Sequence, residues 1–158
     1  MEKFDIKSAD MLEFSSDSVI GKVIRWRTGK DVNHSSLVFK FGELYTLEAL
    51  GNGIDLHLLK NRIDKFRGRV YWYPLHDYLD EYRDDIMKWA LMQIDKMYDY
   101  ESLFANLFGR VSVDGRLYFC SEYVFAAYKS VGLAYGDTAC RPGEFGQFDL
   151  HKERVRIK

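Results

Sequence analysis

Residues 33–59 read NHSSLVFKFGELYTLEALGNGIDLHLL. Apolar or alternating runs at 36–41, 44–50 and 54–59 are separated by Gly42-Glu43 and Gly51-Asn52-Gly53. Runs of this length with glycine-containing breaks predict three strands joined by tight turns. A fourth strand is predicted at 69–73, where strand-favouring aromatic residues are followed by Pro74. The centre of the chain is therefore predicted to form an antiparallel meander.

Helical spacing occurs on both sides of this meander. Apolar residues predict an amphipathic helix over 19–28, with an N-cap in the polar run Ser15–Ser18 and an end at Gly29. Three more helices are predicted after the strands, over 79–97, 103–108 and 119–131. A helix, a meander and then further helices are typical of an α+β fold rather than a wound parallel sheet.

Length and composition narrow the class of protein. The chain has 158 residues, 47% hydrophobic residues and a formal charge of −1, which fits one folded domain over 1–158 and gives no bulk attraction to nucleic acid. The first residues lack the apolar core of a signal peptide, and no apolar stretch approaches the roughly 20 residues of a membrane span. We therefore expect a cytoplasmic protein without integral membrane association.

Two cysteines, Cys120 and Cys140, are too few for a disulfide scaffold or a cysteine-only metal site, and no cofactor or metal is predicted. Cys120 falls in the first turn of a predicted helix, where unpaired amides and the macrodipole favour the nucleophilic thiolate. The alternative on position alone is a small buried hydrophobe. A redox pair of Cys120 with Cys140 is a further alternative.

A cysteine nucleophile needs a base and a group that orients it. His34 lies just ahead of a predicted strand, and Glu48 interrupts an apolar one, where a carboxylate is costly unless it is exposed or paired. A three-residue loop at 40–42 would pair Phe39 with Glu43 and set His34 directly across from Glu48, whereas a two-residue turn would separate them. His57 is the substitute orienter, and ordinary structural roles remain the alternative for all three residues.

Three segments carry a resemblance to a known family: Ala9-Asp10-Met11-Leu12 with Asn33–Val38, then Glu48–Ile54, then Phe119-Cys120-Ser121-Glu122-Tyr123-Val124. In order and spacing they resemble the YiiX-like group of circularly permuted, NlpC-type papain-like cysteine hydrolases. In that permuted group the histidine comes first, on a strand, and the cysteine comes late, on a helix. Residues 98–100 and 141–145 also resemble family segments.

The resemblance implies a Cys–His–Glu triad of Cys120, His34 and Glu48. Cys120 would attack a carbonyl, His34 would move the proton, and Glu48 would orient the imidazole; the backbone N–H of Cys120 would donate to the oxyanion, with the second donor open. The implied fold is papain-like, an antiparallel sheet or barrel of about five to six strands packed against helices. Ala9 departs from the family, which usually has glycine there.

The leading function is that of a thiol hydrolase that cleaves an amide bond in a peptide or a peptidoglycan fragment. The same acyl-enzyme chemistry serves esters, thioesters and acyl transfer, so an acyl-lipid substrate is an alternative. A non-catalytic module that keeps the fold and binds a ligand is the other class. The sequence leaves open the substrate and the oligomeric state.

Overall fold

The computed structural model describes residues 4–50, 53–94, 119–136 and 140–158. Within these ranges the strands are β1 Met11–Ser16, β2 His34–Phe41, β3 Glu43–Leu50, β4 Gly53–Leu58, β5 Gly68–Tyr73 and β6 Val155–Arg156. The α-helices are α1 Val19–Thr28, α2 Leu59–Lys65, α3 Arg83–Leu91 and α4 Phe119–Lys129, and short 3-10 helices cover Asp77–Tyr82 and Phe145–Phe148.

The described strands form one antiparallel sheet of six strands in the order β4-β3-β2-β1-β5-β6. The sheet is not closed, because β4 and the two-residue β6 lie at opposite edges. The expected α+β fold with five to six antiparallel strands is confirmed, and the barrel alternative is wrong. An open sheet leaves both of its faces to be covered by other elements.

The strands of the predicted meander are confirmed with shifted ends. His34 is the first residue of β2 rather than a residue ahead of it, and Leu59 begins α2 instead of ending β4. β1 was not among the predicted strands. Glu13 and Ser15 interrupt its hydrophobic run, yet both residues are buried. β1 lies between β2 and β5 in the interior of the sheet.

The predicted helix over 19–28 is confirmed as α1. The hydroxyl of Ser18 accepts a hydrogen bond from the N–H of Gly21 at 3.0 Å, and Gly29 ends the helix with a φ of 67°. Three of the apolar side chains that mark this helix in the sequence, Val19, Val23 and Trp26, are exposed.

The two later helices are shorter than predicted. The segment predicted to be helical from residue 79 opens with the 3-10 helix, and its α-helical part is α3. Residues 95–97 and the predicted helix at 103–108 lie outside the described residues. The cysteine-bearing helix α4 ends at Lys129, and Gly132 follows it with a φ of 79°.

Hydrophobic clusters cover both faces of the sheet. Leu37 and Leu47 belong to a cluster that includes Tyr123 and Val124 of α4, whereas Val38 belongs to a second cluster with Leu59 and Ile63 of α2. Because neighbouring side chains in a strand point to opposite faces, these clusters anchor α4 and α2 on different faces. Both helices contribute to the site described below.

Ala9, which replaces the glycine usual in the resembling family, precedes β1 with a φ of 64°. This left-handed backbone explains the family's glycine, since a side chain is unfavourable there. Two hydrogen bonds hold the residue in place: its N–H donates to the carbonyl of Val38 at 2.9 Å, and its carbonyl accepts from the hydroxyl of Tyr128 at 2.9 Å.

None of the helices in the described ranges combines the length and the apolar character needed to span a bilayer.

Candidate active site

His34 and Glu48 are in direct contact. Nε2 of His34 lies 2.8 Å from Oε2 of Glu48. The Glu48 side chain is fully buried and that of His34 is 16% exposed, so the pair lies just beneath the surface. The fold therefore brings together two predicted site residues that lie 14 positions apart in the chain.

The hairpin that joins β2 to β3 differs from the expected one. Phe41 pairs with Glu43 around Gly42, which has a φ of 68°. The expected pairing of Phe39 with Glu43 is wrong, because Gly42 alone makes the turn and Phe39 pairs with Tyr45.

This register places Ser36, not His34, across from Glu48, by extension of the pairing of Leu37 with Leu47. The shift is two residues, so His34 and Glu48 still share a face of the sheet. Diagonal neighbours on one face lie within reach of long side chains. The two residues thus meet diagonally rather than directly opposite each other.

Arg62 of α2 binds the same carboxylate. Its Nε donates to Oε1 of Glu48 at 2.7 Å and its Nη2 donates to Oε2 at 2.9 Å. The guanidinium carbon also lies over the rings of Phe14, at 4.9 Å from the centroid, and Phe66, at 5.1 Å. Both oxygens of the buried carboxylate are therefore hydrogen-bonded, and Arg62 is itself held between aromatic rings.

Arg62 was not among the site residues predicted from the sequence. The only signal was the buried carboxylate in an apolar strand, which calls for a nearby cation. Lys60, Arg62, Lys65 and Arg67 all follow β4, and nothing in the pattern singles out one of them. The choice depends on α2, a helix that was not predicted.

Cys120 is the second residue of α4, and its side chain hydrogen-bonds with His34. The residue is 5% exposed. Glu122, in the same first turn, is partly buried, and burial raises its pKa to about 7. Near neutral pH this carboxyl is therefore only partly ionised.

The charge state of His34 is governed by its neighbours. Burial by itself lowers the pKa of the imidazole, but the negative charge and hydrogen bond of Cys120, together with Glu48, outweigh burial and raise the pKa to about 10. An imidazolium is thus favoured at neutral pH when the sulfur next to it is a thiolate.

Glu48 is held in its ionised form. Burial would raise the pKa of this carboxyl, but the hydrogen bonds from His34 and Arg62 and their positive charges lower it to about 2. Because an ionised carboxylate only accepts hydrogen bonds, Nε2 of His34 carries the hydrogen in this contact.

The second cysteine differs from the first. Cys140 is 4% exposed, and burial, together with the nearby carboxylates of Glu144 and Glu13, raises its pKa far above the usual range. It therefore remains a protonated thiol. Both cysteines are free thiols in the described part of the chain, so the alternative redox pair is not formed.

The remaining histidines lie elsewhere. His57, the substitute orienter, lies on β4 and pairs with Thr46 of β3. The side chain that contacts Nε2 of His34 is that of Glu48. His76 stacks on Tyr78, and His151 packs against Tyr128. Within residues 4–50, 53–94, 119–136 and 140–158, no group of three or more His, Cys, Asp or Glu side chains is arranged to hold a metal ion.

Solved structures of similar fold include one from Escherichia coli. The chain is similar to the crystal structure of the metalloprotein YiiX from Escherichia coli O157:H7, with a TM-score of 0.63 and 22% sequence identity over 84% of this chain and 71% of that one. No curated protein sequence matches the chain.

A family model matches most of the sequence. It describes the permuted papain-like amidase enzymes YaeF and YiiX, the peptidase family C92, and it matches residues 11–142. The matched range contains β1, both strands of the His34–Glu48 hairpin and the whole of α4. The chain therefore belongs to the permuted papain-like amidase family, a family of cysteine hydrolases.

Proposed function

We propose that this protein is a thiol hydrolase that cleaves an amide bond through Cys120, His34 and Glu48. The observation that supports the proposal best is the position of the His34 ring, which bonds Glu48 through Nε2 at 2.8 Å and also hydrogen-bonds Cys120. Because Nε2 donates to the Glu48 carboxylate, Nδ1 is the ring nitrogen that exchanges a proton with the sulfur of Cys120. Nucleophile, base and orienter in this order form the constellation of a cysteine hydrolase.

In the first step the Cys120 thiolate attacks the substrate carbonyl. The backbone N–H of Cys120, in the first turn of α4, donates to the developing oxyanion. The His34 imidazolium then gives its Nδ1 proton to the leaving amine as the carbon–nitrogen bond breaks. This leaves an acyl group on the sulfur and a neutral imidazole.

In the second step neutral His34 takes a proton from water as the water attacks the thioester. The carbon–sulfur bond breaks, the carboxylic acid leaves, and the thiolate–imidazolium pair is restored. Glu48 keeps the ring oriented throughout, and Arg62 is a positioning residue that holds Glu48. The peptide or peptidoglycan-fragment amide is the leading substrate, and the same two steps hydrolyse an ester or thioester.

Alkylation by iodoacetamide tests the proposal, with labelled sites identified by mass spectrometry. Cys140 is an internal control for access, because it is as buried as Cys120, at 4% against 5% exposed. We expect Cys120 to react much faster than Cys140 at neutral pH, and His34→Ala to slow Cys120 selectively. If Cys120 reacts no faster than Cys140, the protein is a non-catalytic binding module.

A substrate screen then tests turnover with matched amide, ester and thioester acyl donors. Cys120→Ala and His34→Ala are expected to abolish hydrolysis while the proteins stay folded, and Glu48→Gln is expected to cost less. Full activity in Cys120→Ala on an identified substrate would show that the proposed mechanism is wrong.

A further inference from the structure

One face of α1 is apolar and turned toward solvent. Val19, Val23 and Trp26 are 78%, 55% and 85% exposed. Their spacing of four and three residues places them on one side of the helix. An amphipathic helix ordinarily buries its apolar stripe, whereas these three side chains are exposed to solvent.

The charged residues of α1 itself are all basic. Lys22, Arg25 and Arg27 lie on the helix and Lys30 follows it, and the nearest acidic residues along the chain are Asp17 and Asp31. Lys22 is exposed and lies three positions after Val19 and four before Trp26, which places it on the apolar side. Arg25 donates to Asn33 and to the carbonyl of Ser16, which ties the helix to the end of β1.

We propose that this face of α1 docks onto the surface of an anionic lipid bilayer. A short helix with a tryptophan and aliphatic residues on one side and basic residues beside them lies in the interface plane, with its apolar face among the acyl chains and its cations near anionic headgroups. A second copy of the same face fits less well, because two basic helices would repel each other.

The docking face is close to the proposed catalytic residues along the chain. α1 connects β1 to β2, and His34 is the first residue of β2. The N–H of Ser16, at the start of this connection, donates to Oδ1 of Asn33 at 2.7 Å, so both ends of the connection are fixed together. The inference does not depend on the proposed function, because docking does not require Cys120 to react.

Tryptophan fluorescence and vesicle sedimentation test the inference with the full chain. Trp26 is the exposed tryptophan, while Trp72 is 8% exposed and Trp89 is partly buried. With vesicles of equal parts phosphatidylcholine and phosphatidylglycerol at low salt, we expect sedimentation and a blue shift of the emission. Neither is expected with phosphatidylcholine alone, and added salt should weaken both.

Three variants identify the surface. Trp26→Ala is expected to lower vesicle binding about tenfold, from the loss of one buried aromatic side chain, and Lys22→Glu is expected to lower it selectively at low salt. Tyr135→Ala removes another exposed aromatic, 71% exposed, and should bind as the wild type does. Cys120→Ala should also bind normally, which separates docking from catalysis.

Three outcomes would overturn the inference. The first is equal binding of the wild type to anionic and zwitterionic vesicles. The second is equal binding of Trp26→Ala and the wild type to anionic vesicles. The third is that the wild type does not bind vesicles and instead forms a dimer in sedimentation velocity that Trp26→Ala dissociates, since the face would then be occupied by a second copy.

Discussion

Glu48 shows how a costly residue is accommodated. A fully buried carboxylate carries a large desolvation penalty. Here one oxygen accepts from Arg62, the other accepts from both Arg62 and His34, and all three contacts are 2.9 Å or shorter. The result is a buried anion held by three hydrogen bonds, one of them to the imidazole of His34.

Arg62→Met is predicted to act on Glu48. Loss of the guanidinium removes a cause of the low pKa of Glu48, so the carboxyl should protonate at a higher pH and the acid limb of the activity or Cys120-alkylation profile should move upward. The free energy of unfolding at neutral pH should fall by about 1–3 kcal/mol, because the buried charge loses two hydrogen bonds.

Lys60→Met is the matched control, because Lys60 lies on the same helix but pairs with Asp64 at the surface. It should leave stability nearly unchanged, because a solvent-exposed ion pair contributes little, and it should leave the pH profile unchanged. Arg62→Lys should move the acid limb less than Arg62→Met does, because lysine keeps the positive charge but cannot make the two-pronged contact with the carboxylate. A purely structural Arg62 would lower stability without moving the acid limb.

At the scale of elements, the position of β1 between β2 and β5 determines where His34 lies. Phe14 of β1 pairs with His34 on one side and with Val70 on the other. The contact of β5 with β1 is very close at Gly68, which pairs with Ser16 and has a φ of 138°. A Cβ added there would lie 2.1 Å from the carbonyl oxygen of Ser15.

Gly68→Ala is therefore predicted to separate the start of β5 from β1. We expect a loss of at least about 2 kcal/mol in the free energy of unfolding, measured in urea, because both the backbone angle and the overlap are unfavourable. Gly42→Ala is the control, since Gly42 also has a positive φ but open space around it, and it should cost about 1 kcal/mol. Equal losses in the two variants would contradict the close-contact explanation.

At the scale of the whole molecule, His151 ties the C-terminal segment to the core. Its Nε2 lies 3.0 Å from the hydroxyl of Tyr128 on α4, and its backbone forms a bridge with Leu75 after β5. Burial, with smaller contributions from the positive charges of His76 and Arg83, lowers the pKa of His151 to about 3. The folded protein therefore holds this histidine neutral.

This burial predicts a loss of stability in acid. The unfolded chain takes up a proton at His151 near its ordinary pKa of about 6.5, whereas the folded chain resists protonation down to about 3, so stability falls as the pH falls through this window. Between about pH 7 and pH 5, His151→Gln should lose roughly 2 kcal/mol less free energy of unfolding than the wild type. If urea denaturation shows that the wild type and His151→Gln lose the same free energy of unfolding between these two pH values, the prediction is wrong.

Much of the local structure was predictable because its causes are local. The hydroxyl of Ser18 and the left-handed backbone of Gly29 define α1 through neighbours within a few residues. The strands of the meander follow from alternation and from glycine-containing turns. Cys120, His34 and Glu48 were identifiable from their residue types, their order along the chain and the family resemblance.

What only the tertiary structure decided depends on groups far apart in the chain. The choice of Arg62 required α2 to fold back onto β3, and the diagonal meeting of His34 with Glu48 depended on a turn made by Gly42 alone. The exposed apolar stripe of α1 has the same helical period as a buried stripe, so the sequence pattern does not show whether the stripe is buried or exposed. Sequence determines local backbone preferences and candidate chemistry, whereas packing between distant elements decides which charges meet and which apolar faces stay open.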